Sequence, residues 1–190
     1  MVARLADPAV MHVACIGLMA AAKSTVGTRV ASSLGWPFVD VDAEVEARTG
    51  KTVEDLAYEG GEDAYRPWER RVVLDALDSP DRSVIAAPGG IALDPEARKA
   101  MGAIDVVAVY LRADPDGLAQ QMASGAGQGR PLGGGGLLTS LRGMFRDRDA
   151  TYRALADIEV EVDERSHEEV AGLVIAALTG EVAPAPRAAP

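Results

Sequence analysis

Three features of the sequence predict an α/β protein in which helices flank a parallel β-sheet. Short runs rich in valine and isoleucine alternate along the chain with segments of helical pattern, as in sheets whose parallel strands are joined by helices. The first of these runs ends in a stretch that nearly matches a phosphate-binding loop and continues into a helix. The 190 residues, of which 48% are hydrophobic, are enough for one domain with a buried core.

The predicted elements follow one another in strand–helix order. The apolar runs predict strands at residues 12–16, 37–41, 83–87, 106–111 and 158–162. Capping residues mark four helix starts: Asp94 and Asp114, each before a proline, and the capping-box pairs Thr52/Asp55 and Ser166/Glu169. The charged segment 52–78 is predicted to form two helices that are broken near residue 60.

The composition restricts the class of protein. A net charge of −10 and a pI of about 4.7 argue against nucleic-acid binding, which normally uses a basic surface, and favour small-molecule partners. The lone cysteine, Cys15, excludes a disulfide within the chain and fits a reducing cytoplasm. No apolar run reaches the ~18 residues of a membrane span. We expect His12 and His167 to be ordinary strand and helix residues rather than metal ligands.

The stretch CIGLMAAAKST after the first strand is the strongest candidate for a binding site. The phosphate-loop pattern is G-x-x-x-x-G-K-[ST], and Gly17, Lys23 and Ser24 stand at its spacing. In such a loop backbone N–H groups surround phosphates at a helix N-terminus, while the lysine neutralises charge and the hydroxyl holds Mg²⁺. Ala20 and Ala22 stand where glycines are expected, so the backbone of this loop is less free than usual.

Polar residues and glycines follow the second and third predicted strands. Asp40 and Asp42 lie where parallel strands place their ligands, so that one carboxylate can assist Mg²⁺ while the other binds a substrate hydroxyl. Alternatively, Asp42 only caps the next helix. Gly89 and Gly90 follow the third strand, where they either let the backbone approach a ligand or form a plain turn.

Three arginines are candidates for binding anions, because a guanidinium group binds a carboxylate or phosphate at two points. Arg66 lies in the motif YRPWE and Arg148 in RDRDATY, although each motif is also typical of a solvated charged face. Arg130 lies in the segment 124–136, whose seven glycines predict a mobile lid. Residues 181–190 are predicted to form a disordered tail.

Taken together and in this order, the motifs resemble those of the shikimate kinase family. The phosphate-binding loop, Asp-x-Asp, aromatic-Arg-x-x-Glu, the post-strand glycines, the lid Arg-Pro-Leu and Arg-x-x-x-Tyr follow one another over about residues 11–178. The resemblance implies a P-loop kinase fold of the nucleoside-monophosphate-kinase type, with a five-stranded parallel sheet and a lid, in a single domain over residues 1–180. It also implies transfer of the γ-phosphate of ATP to the 3-hydroxyl of shikimate, with Mg²⁺, in aromatic amino-acid biosynthesis.

The resemblance also implies roles for the candidate residues. The implied catalytic residues are Lys23, Asp42 and Arg130, with Asp42 drawing the proton from the accepting hydroxyl. The implied nucleotide-binding residues are Gly17, Ala20, Ala22, Lys23, Ser24, Thr25 and Arg130. The implied shikimate-binding residues are Asp42, Arg66, Gly89, Gly90 and Arg148, and the implied metal ligands are Ser24 and Asp40. The expected partners are ATP and shikimate, for a monomeric cytoplasmic enzyme that binds neither nucleic acid nor membrane.

The chain departs from the family pattern at several places. Alanine costs about 1–2 kcal/mol at position 20 or 22 if that position requires a left-handed backbone. Pro88 replaces a glycine and lacks an N–H donor, and Met122 and Ala123 stand where the family tends to have basic residues near the adenine. Two alternatives therefore stay open. One is a kinase for another small hydroxy acid, such as a gluconate-type kinase, and the other is a degenerate kinase that binds shikimate or nucleotide without efficient catalysis.

Overall fold

The computed structural model describes residues 5, 7–123 and 136–181. Within these residues five strands form one parallel sheet in the order β2-β3-β1-β4-β5. The predicted α/β class and the predicted five-stranded parallel sheet are therefore confirmed. Arg130, all of the predicted lid except Gly136, and the tail from residue 182 onwards lie outside the described residues.

The helices and strands alternate along the chain as the sequence predicts. The strands are β1 (His12–Ile16), β2 (Phe38–Asp40), β3 (Ser83–Ala86), β4 (Val106–Arg112) and β5 (Ile158–Glu161). The helices are α1 (Lys23–Leu34), α2 (Val41–Thr49), α3 (Val53–Gly60), α4 (Glu62–Leu77), α5 (Pro95–Met101), α6 (Pro115–Ala123), α7 (Leu137–Leu155) and α8 (His167–Thr179). A short 3-10 turn, Ile91–Leu93, precedes α5.

The core lies on both faces of the three central strands. Every residue of β1 and β3, and all but the last of β4, is buried. Such continuous apolar runs are typical of parallel strands that helices cover on both sides. The edge strand β5 instead alternates between buried and more exposed residues, because one of its faces is less covered.

The sheet register brings the carboxyl ends of neighbouring strands to one level. Ala86, the last residue of β3, pairs with Asp40 on one side and with Cys15 on the other. Ile16, at the end of β1, pairs with Tyr110 of β4. The segments that follow β1, β2 and β3 therefore start from the same edge of the sheet, which is the edge where open parallel sheets bind ligands.

The predicted helix caps are present. Thr52 with Asp55, and Ser166 with Glu169, form complete capping boxes. The Asp94 side chain accepts the N–H groups of the first turn of α5. The segment 52–78 divides into α3 and α4 at Gly61, close to the predicted break. None of the helices in the described ranges is long and apolar enough to cross a membrane.

Two polar residues of β1 are buried without lining the candidate site. His12 is 1% exposed, and its Nδ1 lies 3.0 Å from the Ser83 hydroxyl, at the end of β1 away from the phosphate-loop sequence. Burial raises the pKa of the Cys15 thiol to about 12, so this thiol stays protonated and unreactive at neutral pH. Both residues therefore belong to the core.

Candidate active site

A cleft of about 710 Å³ lies at the carboxyl edge of the sheet. Its walls come from the loop after β1, the junction of β2 with α2, the start of α3 and the loop after β3. Residues from three of the predicted motifs line it, among them Lys23, Ser24, Asp40, Asp42 and Gly89. The fold thus brings together candidates that are far apart in the sequence.

Gly17 allows the loop after β1 to run close to the next strand. Its φ is +144°, and a Cβ added there would lie 2.5 Å from the backbone oxygen of Leu111 in β4. No other residue fits this position without moving the strand, because backbone cannot yield as a flexible side chain can. The first glycine of the motif is therefore required by packing as well as by conformation.

The two alanines of the loop both adopt the left-handed backbone conformation. The φ of Ala20 is 61° and that of Ala22 is 58°. Ala22 is also the N-cap residue of α1 and has no side chain with which to cap it. The loop thus keeps the backbone path that glycines would give it, with strain of about 1–2 kcal/mol at each alanine.

Replacing Ala20 or Ala22 by glycine is expected to raise the free energy of unfolding by about 0.5–1 kcal/mol per site, because relief of the left-handed strain exceeds the added entropy of the unfolded chain. The measurement is denaturant unfolding of each variant. Ala21→Gly is the matched control, since Ala21 is 1% exposed and is not among the residues with positive φ. That variant should lose stability, and an equal loss in all three variants would contradict the strain at Ala20 and Ala22.

The N-terminus of α1 opens into the cleft. The first hydrogen bond of this helix runs from Val26 N to Ala22 O at 2.8 Å, so the N–H groups of the first turn have no acceptor within the helix. That turn carries no acidic residue, and the positive end of the helix dipole is not neutralised there. Lys23 Nζ donates to Leu18 O at 2.7 Å and so lies across the loop. Loop, helix end and ammonium group together form a site suited to phosphate.

The structure corrects our account of the Asp-x-Asp motif. Strand β2 ends at Asp40 and α2 begins at Val41, so only Asp40 belongs to the strand and Asp42 lies on the helix. The helix cap is Asp40, whose Oδ1 accepts the N–H groups of Asp42 at 3.1 Å and Ala43 at 3.3 Å. The alternative in which Asp42 only caps the helix is therefore wrong. Asp42 lies in the first turn of α2, where it is exposed and lines the cleft.

Arg66 is held rigidly on α4. Its guanidinium donates to Glu69 Oε2 at 3.0 Å and to Glu62 Oε1 at 3.2 Å, and its Cζ lies 5.1 Å from the centre of the Tyr65 ring. Burial acts to lower the pKa of Arg66, but the Glu69 and Glu62 carboxylates outweigh it and raise the pKa. Because Glu69 is fully buried, Arg66 is anchored in the fold and does not belong to a solvated face.

The two glycines after β3 lie so close to Arg66 and to the phosphate-loop motif that little room is left for a side chain at either position. A Cβ added at Gly90 would lie 1.7 Å from Arg66 Nη1, so the guanidinium packs directly on this residue. A Cβ added at Gly89 would lie 3.0 Å from Gly17 O in the phosphate-loop motif. The backbone N–H groups of both glycines form no hydrogen bond with the described residues and remain available as donors. Both positions therefore require glycine because of these close contacts, whereas a plain turn would not have such contacts.

Arg148 lies on α7, one turn before a tyrosine that contacts the same glycines. It is half-buried, and its charge acts on the hydroxyl of that tyrosine, Tyr152. The Tyr152 hydroxyl in turn donates to the carbonyl of Gly89. Burial raises the pKa of the Tyr152 phenol, while the charge of Arg148 acts to lower that pKa. Arg66 and Gly90 thus lie beside the Gly89 wall of the cleft, and Tyr152 connects α7, which carries Arg148, to the same wall.

Comparison with known proteins identifies the family. A family model described as shikimate kinase matches residues 19–179. The chain belongs to the shikimate kinase family. As a member of this family it is an ATP-dependent phosphotransferase, as the resemblance of its motifs implied.

Curated shikimate kinases match this family member over most of its length. The shikimate kinase of Thermobifida fusca is 38% identical over 159 residues, which cover 84% of this chain and 90% of that protein. The shikimate kinase of Zymomonas mobilis is 36% identical over 164 residues, which cover 86% of this chain and 90% of that protein. The likeness therefore extends well beyond the phosphate loop.

Solved structures give the same family assignment. A shikimate kinase from Acinetobacter baumannii in complex with shikimate superimposes with a TM-score of 0.83 at 25% identity, covering 94% of this chain and 98% of that one. The enzyme from Aquifex aeolicus gives a TM-score of 0.76 at 30% identity, with 90% and 98% covered. A gluconokinase from Sinorhizobium meliloti, at a TM-score of 0.56 and 19% identity over 90% and 92%, shares the fold alone.

Members of the shikimate kinase family work with Mg²⁺, and the residues of this chain fit that ion. Only Oδ1 of Asp40 accepts hydrogen bonds from the described residues, so Oδ2 keeps its lone pairs for a ligand. The Ser24 hydroxyl lines the same cleft. The described residues include no group of three or more His, Cys, Asp or Glu side chains able to hold a metal. One carboxylate and one hydroxyl suit Mg²⁺ that arrives with nucleotide phosphates.

Several residues of this shikimate kinase family member line the cleft although our sequence analysis did not place them in the site, among them one glutamine and one histidine. Gln121 lies on α6 and His167 is the first residue of α8. His167 was predicted only as a first-turn helix residue, which it is. Its position directly after β5 was the available signal, because segments that follow parallel strands reach the ligand edge. Arg130, the implied lid residue, lies outside the described residues.

Proposed function

We propose that this protein phosphorylates the 3-hydroxyl of shikimate with the γ-phosphate of ATP. The observation that carries the proposal is the packing of Arg66 on Gly90 beside the phosphate-loop cleft, with Arg148 one turn before Tyr152, whose hydroxyl donates to the carbonyl of Gly89. Two guanidinium groups suit one small carboxylate, since each can donate to it at two points. A small acid bound there lies next to a site for nucleotide phosphates.

The proposed nucleotide site is the loop from Gly17 to Thr25. The N–H groups at the start of α1 surround the β-phosphate, and Lys23 leaves Leu18 O to contact the phosphate oxygens. Ser24 and Asp40 hold the magnesium ion, which neutralises phosphate charge when it is bound. Arg130 adds a further positive charge from the lid in this proposal. These groups stabilise charge on the phosphoryl group as it moves.

The proposed acceptor site positions the hydroxyl for direct attack. Arg66 and Arg148 hold the carboxylate, and the N–H groups of Gly89 and Gly90 donate to the ring substituents. Asp42 accepts a hydrogen bond from the reacting hydroxyl and takes its proton as the new O–P bond forms and the bond from the γ-phosphorus to the bridging oxygen of ADP breaks. Little other covalent chemistry is needed, because phosphoryl transfer depends mainly on in-line positioning and charge stabilisation.

The test is a coupled assay of ADP release with shikimate, ATP and Mg²⁺. Turnover that requires shikimate and exceeds that of a Lys23→Ala variant is the expected result. A panel that includes gluconate and other small hydroxy acids separates the acceptors, since a gluconokinase shares the fold. Preferential turnover of another acid would mean that this acid, and not shikimate, is the acceptor.

A second candidate function is a kinase-like protein that binds ligands without efficient catalysis. The left-handed Ala20 and Ala22 favour it, because their methyl groups strain the loop and stand near the proposed phosphates. Calorimetry separates the two functions. Shikimate binding without Mg-ATP binding would favour the non-catalytic protein, and a sharp rise in activity on restoring both glycines would show that the loop limits catalysis.

A further inference from the structure

The helices that begin at the cleft carry different charges in their first turns. The first turn of α1, which follows the phosphate-loop motif, has no acidic residue. The first turn of α2 contains Asp42 and Glu44, and that of α3 contains Glu54 and Asp55. The helix dipole therefore attracts anions to the start of α1, whereas carboxylates offset the dipole at the starts of α2 and α3. One end of the cleft thus favours phosphate and the other does not.

Two carboxylates line this second end, although neither the motifs nor the proposed mechanism gives them a role. Glu46 follows Asp42 by four residues on α2, a spacing that places both side chains on the same face of the helix. Both of these residues line the cleft, and Glu54 lines it from the first turn of α3. Glu46 and Glu54 together form the acidic wall of the cleft.

The basic residues nearest to the acidic wall in the sequence are paired with other carboxylates. Arg48 pairs with Glu44 at 2.9 Å and with Asp75 at 2.6 Å. Lys51 pairs with Glu59 at 2.6 Å. Within the part of the chain that the structure describes, neither carboxylate of the acidic wall has a hydrogen bond or an ion pair, and both residues are exposed. The wall therefore presents two negative charges to the cleft without a neighbouring cation to offset them.

The sheet order places the acidic wall at the acceptor end of the cleft. Strand β2, which continues into α2, pairs with β3, which leads into the Gly89 loop, and β3 pairs with β1, which leads into the phosphate-loop motif. In the proposed reaction the phosphoryl group moves from that loop to a hydroxyl held by Asp42. The acceptor then gains up to two negative charges in addition to the one on its carboxylate. The product is therefore repelled by the acidic wall more strongly than the substrate.

We infer that the acidic wall of Glu46 and Glu54 selects acceptors by charge: it admits an acid with one negative charge, and it repels the phosphorylated product and so promotes its release. The inference rests on the proposed function, since it assigns a role within the acceptor site. Repulsion of this kind increases with the charge of the ligand and decreases with ionic strength. Those two dependences distinguish it from a structural role of the same residues.

The experiment is calorimetry of shikimate and of shikimate 3-phosphate with the wild type and with the double variant Glu46→Gln/Glu54→Gln. At about pH 8 the phosphate group carries two charges, because its second pKa is about 6. We expect the Kd of the variant to be about 2-fold lower for shikimate and about 8-fold lower for its phosphate, since the electrostatic free energy scales with ligand charge. In about 1 M salt, where the Debye length is about 3 Å, the difference for the phosphate should shrink to less than about 2-fold.

The matched control is the double variant Glu44→Gln/Glu59→Gln. It removes the same number of charges from the same two helices, but neither residue lines the cleft. We expect its Kd to change by less than about 2-fold for either ligand, because these charges are paired with Arg48 and Lys51. Since the net charge changes equally in both variants, a larger effect in the wall variant is due to the position of its charges. Thermal unfolding checks that both variants are folded.

Three groups of results would overturn the inference or its basis. An unchanged Kd for the phosphate, equal changes for the two ligands, or a change that persists in 1 M salt would refute selection by charge and leave the proposed function intact. Equal effects of the wall variant and the control, or weaker binding of the phosphate to the wall variant, would refute it as well. A wild type that binds neither shikimate nor its phosphate would refute the proposed function and this inference with it.

Discussion

Lys23→Ala is expected to lower kcat/KM by about 10²–10³-fold, the typical cost of removing one preorganised charge that faces a transition state. Lys23 begins α1 and its ammonium group spans the loop to Leu18 O at 2.7 Å. No neighbouring residue can replace it, because the other residues of the loop from Gly17 to Ser24 are uncharged. The loss should appear in kcat as well as in KM for ATP, since negative charge develops on the leaving oxygen of ADP as the phosphoryl group moves.

The control for this variant is Lys99→Ala, which removes an exposed lysine from α5, outside the cleft. We expect its kinetics to match those of the wild type, and thermal unfolding should show that both variants are folded. Equal activity of Lys23→Ala and the wild type would mean that the phosphate-binding loop does not take part in the reaction. The proposed nucleotide site would then be wrong.

Gly90→Ala is expected to raise KM for shikimate by about 10²-fold while leaving the fold in place. The backbone at Gly90, with φ −85° and ψ −13°, is one that alanine adopts without strain. The new Cβ would lie 1.7 Å from Arg66 Nη1 and 2.4 Å from Nη2, so the guanidinium must leave its position. The acceptor carboxylate then loses its contact with one of the two arginines. A charge-assisted hydrogen bond of this kind is worth about 1.5–3 kcal/mol.

Displacing Arg66 also weakens its contact with the buried Glu69, which should lower the free energy of unfolding by about 1–3 kcal/mol. Gly172→Ala is the control, because Gly172 is exposed on α8 and an added Cβ meets no atom within 4 Å. It should keep full activity and gain about 0.5–1 kcal/mol of stability from the better helix propensity of alanine. An unchanged KM for shikimate in Gly90→Ala would remove Arg66 from the acceptor site.

Local patterns were enough to place most elements. Each predicted strand is present within one residue at either end. The three central strands were the clearest, because strands buried on both faces appear as continuous apolar runs in the sequence. The caps at Thr52 and Ser166 were predictable for a similar reason, since a capping box is a hydrogen-bond pattern among four consecutive residues. The one-residue error at the end of β2 had a larger effect, because it left Asp42 instead of Asp40 as the candidate for the helix cap.

The sequence by itself determined the α/β class, the order of elements and the chemistry of the phosphate-binding loop, because those depend on interactions between residues close in the chain. Tertiary structure alone decided that Ala20 and Ala22 take the left-handed conformation, and that His167 reaches the cleft. It also packed Arg66 on Gly90 and brought Tyr152, one turn after Arg148 on α7, onto Gly89. The physical reason is that strand order and helix packing set these distances, and no short stretch of sequence records which distant residues a sheet will bring together.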